Sequence, residues 1–143
     1  MYDTILVPTD GSDASFNAVE HALEIAAPHD STVHFLHVVD VGTEMSAGAS
    51  GQIAQELSDT LERQAEEALD DAVARAENVG VNHERVILEG TPDTAIVDYA
   101  EEHAVDLVAM GATGRSGISE HLLGSTTDRV TRSINAPVLL VRG

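Results

Sequence analysis

Ile5-Leu6-Val7-Pro8-Thr9-Asp10-Gly11-Ser12-Asp13 is the stretch on which the fold turns. A short apolar run that stops at a proline reads as a buried strand. Ser12 then offers a good helix N-cap, with Asp13 as an acid in the first turn. Phe16, Val19, Ala22, Leu23 and Ala26 keep helical spacing up to Pro28. The stretch is thus one strand-to-helix unit, and the remainder of the chain repeats the alternation.

Thr32–Val39 is predicted as the second strand. Residues 42–51 are small, polar and glycine-rich, and are expected to form a loop. A long helix follows, with Ile53, Leu57, Leu61, Ala65, Ala68, Ala72, Ala76 and Val79 on one stripe. Glu56, Asp59, Glu62, Glu66, Glu67, Asp70 and Asp71 make its other face a solvated acidic one, and Gly80 ends it as a C′ glycine. His83–Leu88 is the third strand. Thr91-Pro92 puts an N-cap before a proline at the first helical position, and Ala95, Ile96, Tyr99 and Ala100 form that helix's buried side. Asp106–Met110 is the fourth strand. Ser125-Thr126-Thr127-Asp128 opens a helix running to Asn135, and Pro137–Val141 is the fifth strand.

Strands with near-continuous apolar sequence belong to a parallel sheet covered by helices on both faces. The βαβαβαβαβ order therefore predicts an α/β fold: a doubly wound, open, five-stranded parallel sheet with right-handed crossovers. Its 143 residues suit one domain over 1–143, with no internal repeat.

Composition removes several classes of function. There is no cysteine, so disulfides, thiol catalysis and thiolate metal sites are absent together. Asp plus Glu is 25 and Lys plus Arg is 7, a net charge of −18. Such a chain repels nucleic acid and anionic membrane surfaces. Every basic residue is arginine, which excludes Schiff-base lysines and a P-loop lysine. No apolar run reaches the roughly 18 residues of a membrane span, and the N-terminus has no secretory pattern, so a soluble cytoplasmic protein is expected. Strong acidity without lysine also fits a protein working in molar salt, where self-repulsion is screened.

In a doubly wound sheet, ligands bind beyond the carboxyl ends of the strands where strand order reverses. The first strand ends in Pro8-Thr9-Asp10-Gly11-Ser12. The fourth ends in Met110-Gly111-Ala112-Thr113-Gly114-Arg115. Gly111 and Gly114 let backbone approach a ligand, and Gly124-Ser125-Thr126 opens a helix whose amides can hold phosphate. Arg115 is the loop's one basic side chain. Ser125 can equally cap its helix and the glycines form a plain turn. The position at the end of a parallel strand favours a ligand site.

Gly111-x2-Gly114-x9-Gly124-Ser125 resembles the nucleotide-binding pattern of the universal stress protein family. The resemblance extends over the whole chain, through Ile5–Ser12, Leu36-His37-Val38-Val39-Asp40 and Ala136–Val141. It implies a Rossmann-like sheet of the adenine nucleotide alpha hydrolase-like type, with strand order 3-2-1-4-5, and in the ATP-binding branch a bound adenine nucleotide. By that resemblance Pro8, Thr9 and Asp10 line the adenosine, with Asp10 near the ribose hydroxyls. Val38 meets the adenine through backbone groups, and Met110 and Gly111 lie under the nucleoside. Gly114, Gly124, Ser125 and Thr126 hold the phosphates, which a divalent cation, Mg2+ or Mn2+, accompanies. The resemblance also implies a homodimer in which the C-terminal strand pairs with its copy.

Other constellations are weaker. His34 and His37, three apart on a strand, point to opposite faces and cannot chelate one metal. His21, His29, His83, His103 and His121 lack ligand spacing, and the histidines read as surface or half-buried groups. Asp98 and Asp106 carry no catalytic signature, and Ser12 and Ser15 lack a nearby base. The reading is an ATP-binding stress-response regulator, at most a slow ATPase, since no general base or arginine finger stands out. A nucleotide hydrolase or adenylyl-transfer enzyme on the same scaffold, and a dimeric interaction module without nucleotide, are the alternatives.

Overall fold

The computed structural model describes residues 1–40, 52–113 and 123–143. The described elements follow the order β1 (Thr4–Pro8), α1 (Asp13–His29), β2 (Thr32–Asp40), α2 (Gln52–Val79), β3 (Asn82–Gly90), α3 (Pro92–Glu102), β4 (Leu107–Gly111), α4 (Ser125–Ser133) and β5 (Val138–Val141). The five strands form one sheet in the order β3-β2-β1-β4-β5, and every pairing is parallel. The chain winds outward from β1 to β3, returns to β4 on the other side of β1, and winds out again to β5. Strand order therefore reverses between β1 and β4.

Alternating side chains divide the core into two layers. Ile5, Val7, Val33, Phe35 and Ala109 pack on α1 and α2 through Ala18, Ala22, Leu69, Ala72 and Ala76. Leu6, Leu36, Val108 and Met110 pack on Ile96, Tyr99 and Ala100 of α3 and Val130 of α4. Burying one large aliphatic side chain is worth about 1.5–3 kcal/mol, so the central strands, buried on both faces, carry much of the stability.

Local signals set most of the boundaries. Ser12 caps α1, its Oγ accepting from the Ser15 amide at 3.2 Å. Pro92 occupies the first turn of α3, and Gly80 has φ +73° immediately after α2. Three expectations change. Helix α1 runs past Pro28 to His29, because Asp30 adopts the left-handed conformation (φ 53°) and its amide and that of Ser31 close the last turn on Ala26 and Ala27. Val79, expected on the buried stripe of α2, is 55% exposed, whereas Leu69 is fully buried. Ile53 has no described side chain. Helix α4 ends at Ser133, and its N-cap is Gly124, so Ser125 is the first helical residue and not the cap.

Candidate functional site

A cavity of about 280 Å³ opens at the carboxyl ends of β1, β2 and β4, where strand order reverses. Pro8, Thr9 and Asp10 line it from β1, and Val38 from β2. Met110 and Gly111 line it from β4, and Gly124, Ser125 and Thr126 from the start of α4. Gly114 and Arg115 lie outside the described residues, as does the 42–51 loop. Leu36, His37, Pro92, Ile96, Ser15, Thr113 and Thr127 also line the cavity, and sequence reasoning assigned none of these to a site.

Each wall has a physical anchor. The Thr9 amide donates to the Leu36 carbonyl at 2.8 Å, which ties the exit of β1 to β2. Asp10 Oδ1 accepts from the Ser12 amide at 2.9 Å, forming a tight turn into α1. Gly111 is packed so closely on α1 that a Cβ there would lie 2.8 Å from the backbone of Ala14 and Ser15. The buried Thr127 hydroxyl donates to the Gly111 carbonyl at 2.9 Å, and the Gly124 amide to Ala112 at 2.9 Å. These bonds hold the N-terminus of α4 at the end of β4. Among the described residues no side chain caps α4, so none of them competes with an anion for its first-turn amides. Asp128, the acid in that turn, is paired with Arg132 Nε at 3.1 Å.

Thr9 itself is 5% exposed, and its Oγ1 has no hydrogen-bond partner. Among the described residues it is the one buried side-chain polar atom without one. Leaving such a hydroxyl unpaired costs on the order of 1–3 kcal/mol.

The described chain matches what a whole family shares. The sequence model of the Universal stress protein family matches residues 1–142. The chain belongs to the universal stress protein family. Universal stress protein MJ0531 of Methanocaldococcus jannaschii is 39% identical over 142 residues, which cover 99% of this chain and 83% of that protein. The structure of MJ0577, from the same organism, matches with a TM-score of 0.89 at 32% identity, covering 100% of this chain and 97% of that one. A universal stress protein solved in complex with cAMP matches with a TM-score of 0.69 at 31% identity, covering 99% of this chain and 97% of that one.

A second polar cluster lies away from the cavity. His34 is buried, at 7% exposure, which departs from the surface or half-buried reading. Its Nε2 lies 2.9 Å from Glu84 Oε2 and its Nδ1 2.7 Å from the Tyr99 hydroxyl. A carboxylate only accepts, so Nε2 carries the hydrogen and Nδ1 accepts from Tyr99. Burial pushes the His34 imidazole below its ordinary value; Glu84 pulls it up and His103 pushes it down. Burial, and then Glu84, raises Tyr99. Asp106 accepts the Asp3 and Thr4 amides, both at 3.0 Å, and so anchors the start of β1. Among the described residues no cluster of His, Asp and Glu is arranged to hold a metal ion, and no helix is long and apolar enough to cross a membrane.

Proposed function

We propose that this protein is an ATP-binding regulator of the stress response that acts by occupancy, with at most slow hydrolysis. The observation that carries the reading is the cavity at the reversal of strand order, lined by Gly111 at the end of β4 and by Gly124, Ser125 and Thr126 at the start of α4. The relative solved with cAMP supports an adenine nucleotide as the ligand class.

In this reading Pro8, Thr9 and Asp10 take the adenosine, with Asp10 toward the ribose, and Val38 meets the base. Met110 and Gly111 form the floor. Gly114, Gly124, Ser125 and Thr126 take the phosphates, with Arg115 adding a positive charge. The fit rests on hydroxyls, glycine backbone and helix amides, which are acceptor-seeking groups suited to phosphate oxygens. Mg2+ or Mn2+ would be held chiefly by the phosphates, since the described side chains offer no carboxylate cluster for it.

The described lining carries one carboxylate, Asp10, and one imidazole, His37. The His37 ring is committed to the Thr9 carbonyl through Nδ1, which accords with binding more than with turnover. The same reading includes a two-fold dimer through β5, which lies at the sheet edge and exposes Leu140 by 38%. Work in a salt-rich cytoplasm accords with the charge of −18.

Calorimetric titration with ATP and Mg2+, followed by single-turnover assay of bound ATP, tests the proposal. Micromolar binding with turnover slower than minutes is expected. No heat with ATP, AMP or cAMP would overturn it, and turnover on the scale of seconds would favour a hydrolase.

A further inference from the structure

Alternate residues of a strand share a face, so β2 turns His34, Leu36 and Val38 to one side of the sheet, the side covered by α3. Leu36 and Val38 line the cavity, and His34 comes two residues before Leu36. On α3, Pro92, Ile96, Tyr99 and His103 follow at spacings of four, three and four, which is one helical stripe. Pro92 and Ile96 line the cavity, while Tyr99 and His103 meet His34. The Tyr99 hydroxyl lies 2.7 Å from His34 Nδ1, and Glu84 of β3 lies 2.9 Å from Nε2. Tyr99 stacks on His103 with ring centroids 3.9 Å apart, and the centroids of the two imidazoles are 6.0 Å apart. From β1 the neighbour is the apolar Leu6. Among the described residues, then, Glu84, Tyr99 and His103 are the titratable groups that face His34. In the neutral ring Nδ1 accepts the Tyr99 hydrogen. A proton added there sets hydrogen against hydrogen, so Tyr99 must turn its hydroxyl from donor to acceptor, and the new charge stands beside His103. Glu84 offsets part of this, but its side chain is 60% exposed and its charge is screened. Tyr99 is one of three buried residues of α3, with Ile96 and Ala100, so displacing it unseats the helix.

We propose that α3 couples a proton on His34 to the nucleotide cavity, so that protonation loosens nucleotide binding. The inference rests on the nucleotide-binding reading above. Ile96 stands about 4.5 Å along the helix axis from Tyr99, a fixed distance within one helix. A helix displaced at Tyr99 takes Ile96 and Pro92 with it, and the wall that they form moves relative to Leu36 and Val38. Coupling is reciprocal, so an occupied cavity holds α3 in place and disfavours the proton. Burial already sets the His34 imidazole below its ordinary value of about 6.5. Above that pH the ring is neutral with or without nucleotide, and His34 leaves affinity unchanged. Below it, affinity falls as the free protein takes up a proton that the complex resists.

Titration of the whole protein with ATP and Mg2+ from pH 7.5 to 5.0 tests this, beside His34→Gln, whose amide stays neutral throughout. Thermal melts at each pH establish that both proteins are folded at the titration temperature. Protonation of ATP itself, and of Asp10 and His37 in the cavity lining, is common to both proteins and cancels between them. Wild type is expected to lose about tenfold more affinity across this range than His34→Gln. A second measurement needs no variant. In isotope-labelled wild type, the His34 ring, assigned through its backbone, is expected to titrate about one pH unit lower with saturating ATP than without, which is the same tenfold coupling seen from the proton's side. A merely structural histidine would not show this. Equal losses of affinity in wild type and folded His34→Gln overturn the proposal. So does a His34 midpoint that ATP leaves unmoved or raises, and that result decides alone if the variant does not fold. The nucleotide-binding reading survives these results. Wild type that binds no ATP at pH 7.5 overturns both.

Discussion

Gly111 and Ala14 are in such close contact that a Cβ on Gly111 would stand 2.8 Å from the Ala14 Cβ and 2.8 Å from its carbonyl carbon. The end of β4 and the first turn of α1 thus share one wall of the cavity. Neither backbone can retreat: Gly111 accepts from Thr127, and Ser15 is tied to Ser12 by both its amide and its hydroxyl.

Gly111→Ala is therefore expected to destabilise the protein by about 1–3 kcal/mol, the usual cost of overpacking, and to weaken ATP binding. Gly80→Ala is the control. It has φ +73° but nothing within 4 Å of the new Cβ, so about 1 kcal/mol from backbone conformation alone is expected, with affinity unchanged. Thermal melts and calorimetry of both variants check this.

Thr9→Val keeps the shape of the side chain and removes the unpartnered hydroxyl. Stability is expected to hold or rise by about 1 kcal/mol, while ATP affinity falls about 5–10-fold. A variant that loses stability and keeps affinity would mean that the hydroxyl serves the fold and not the ligand.

His34 contributes a pH dependence of known sign. Burial lowers its folded value below the ordinary one of about 6.5, so below that pH the unfolded chain binds the proton more readily. The stability tied to the neutral ring is complete above about pH 6.5 and is lost as pH falls from there toward the folded value. Wild type is expected to lose more melting temperature between pH 7.5 and 5.5 than His34→Gln does. Equal losses would show that other groups govern the acid limb.

Leu140→Arg, on the edge strand β5, is expected to convert a dimer to a monomer with little change in the fold. Light scattering at micromolar concentration in molar salt reads the mass directly. A wild-type monomer there removes the dimer.

The charge of −18 gives a last expectation. Glu66 and Asp70 are offset by Arg85, and Glu20 by Arg75, but the remaining acids of α2 face solvent with few cations near. The Debye length falls from about 10 Å at 0.1 M to about 3 Å at 1 M salt. Melting temperature and ATP affinity are both expected to rise between 0.1 and 2 M KCl. A flat or falling melting temperature would remove the salt-adapted reading.

Sequence alone determined the elements, their order and the strand ends that line the cavity, because those signals are local. The apolar run Ile5–Val7, the Ser12 cap and the Thr91-Pro92 helix start each act within a few residues. The order 3-2-1-4-5 came with the family pattern and not with any single segment. Tertiary structure decided what depends on residues far apart in the chain. His37 meets Thr9 across 28 positions and His34 meets Tyr99 across 65, and no periodicity reports either pairing. The same contacts decide which polar atoms are satisfied. Backbone pairing between β1 and β2 uses the Thr9 amide and His37 takes its carbonyl, while the Thr9 hydroxyl is buried with no partner among the described residues. Val79 and Leu69 make the same point for burial, since helical spacing names a face but the extent of the opposing layer decides how much of that face is covered.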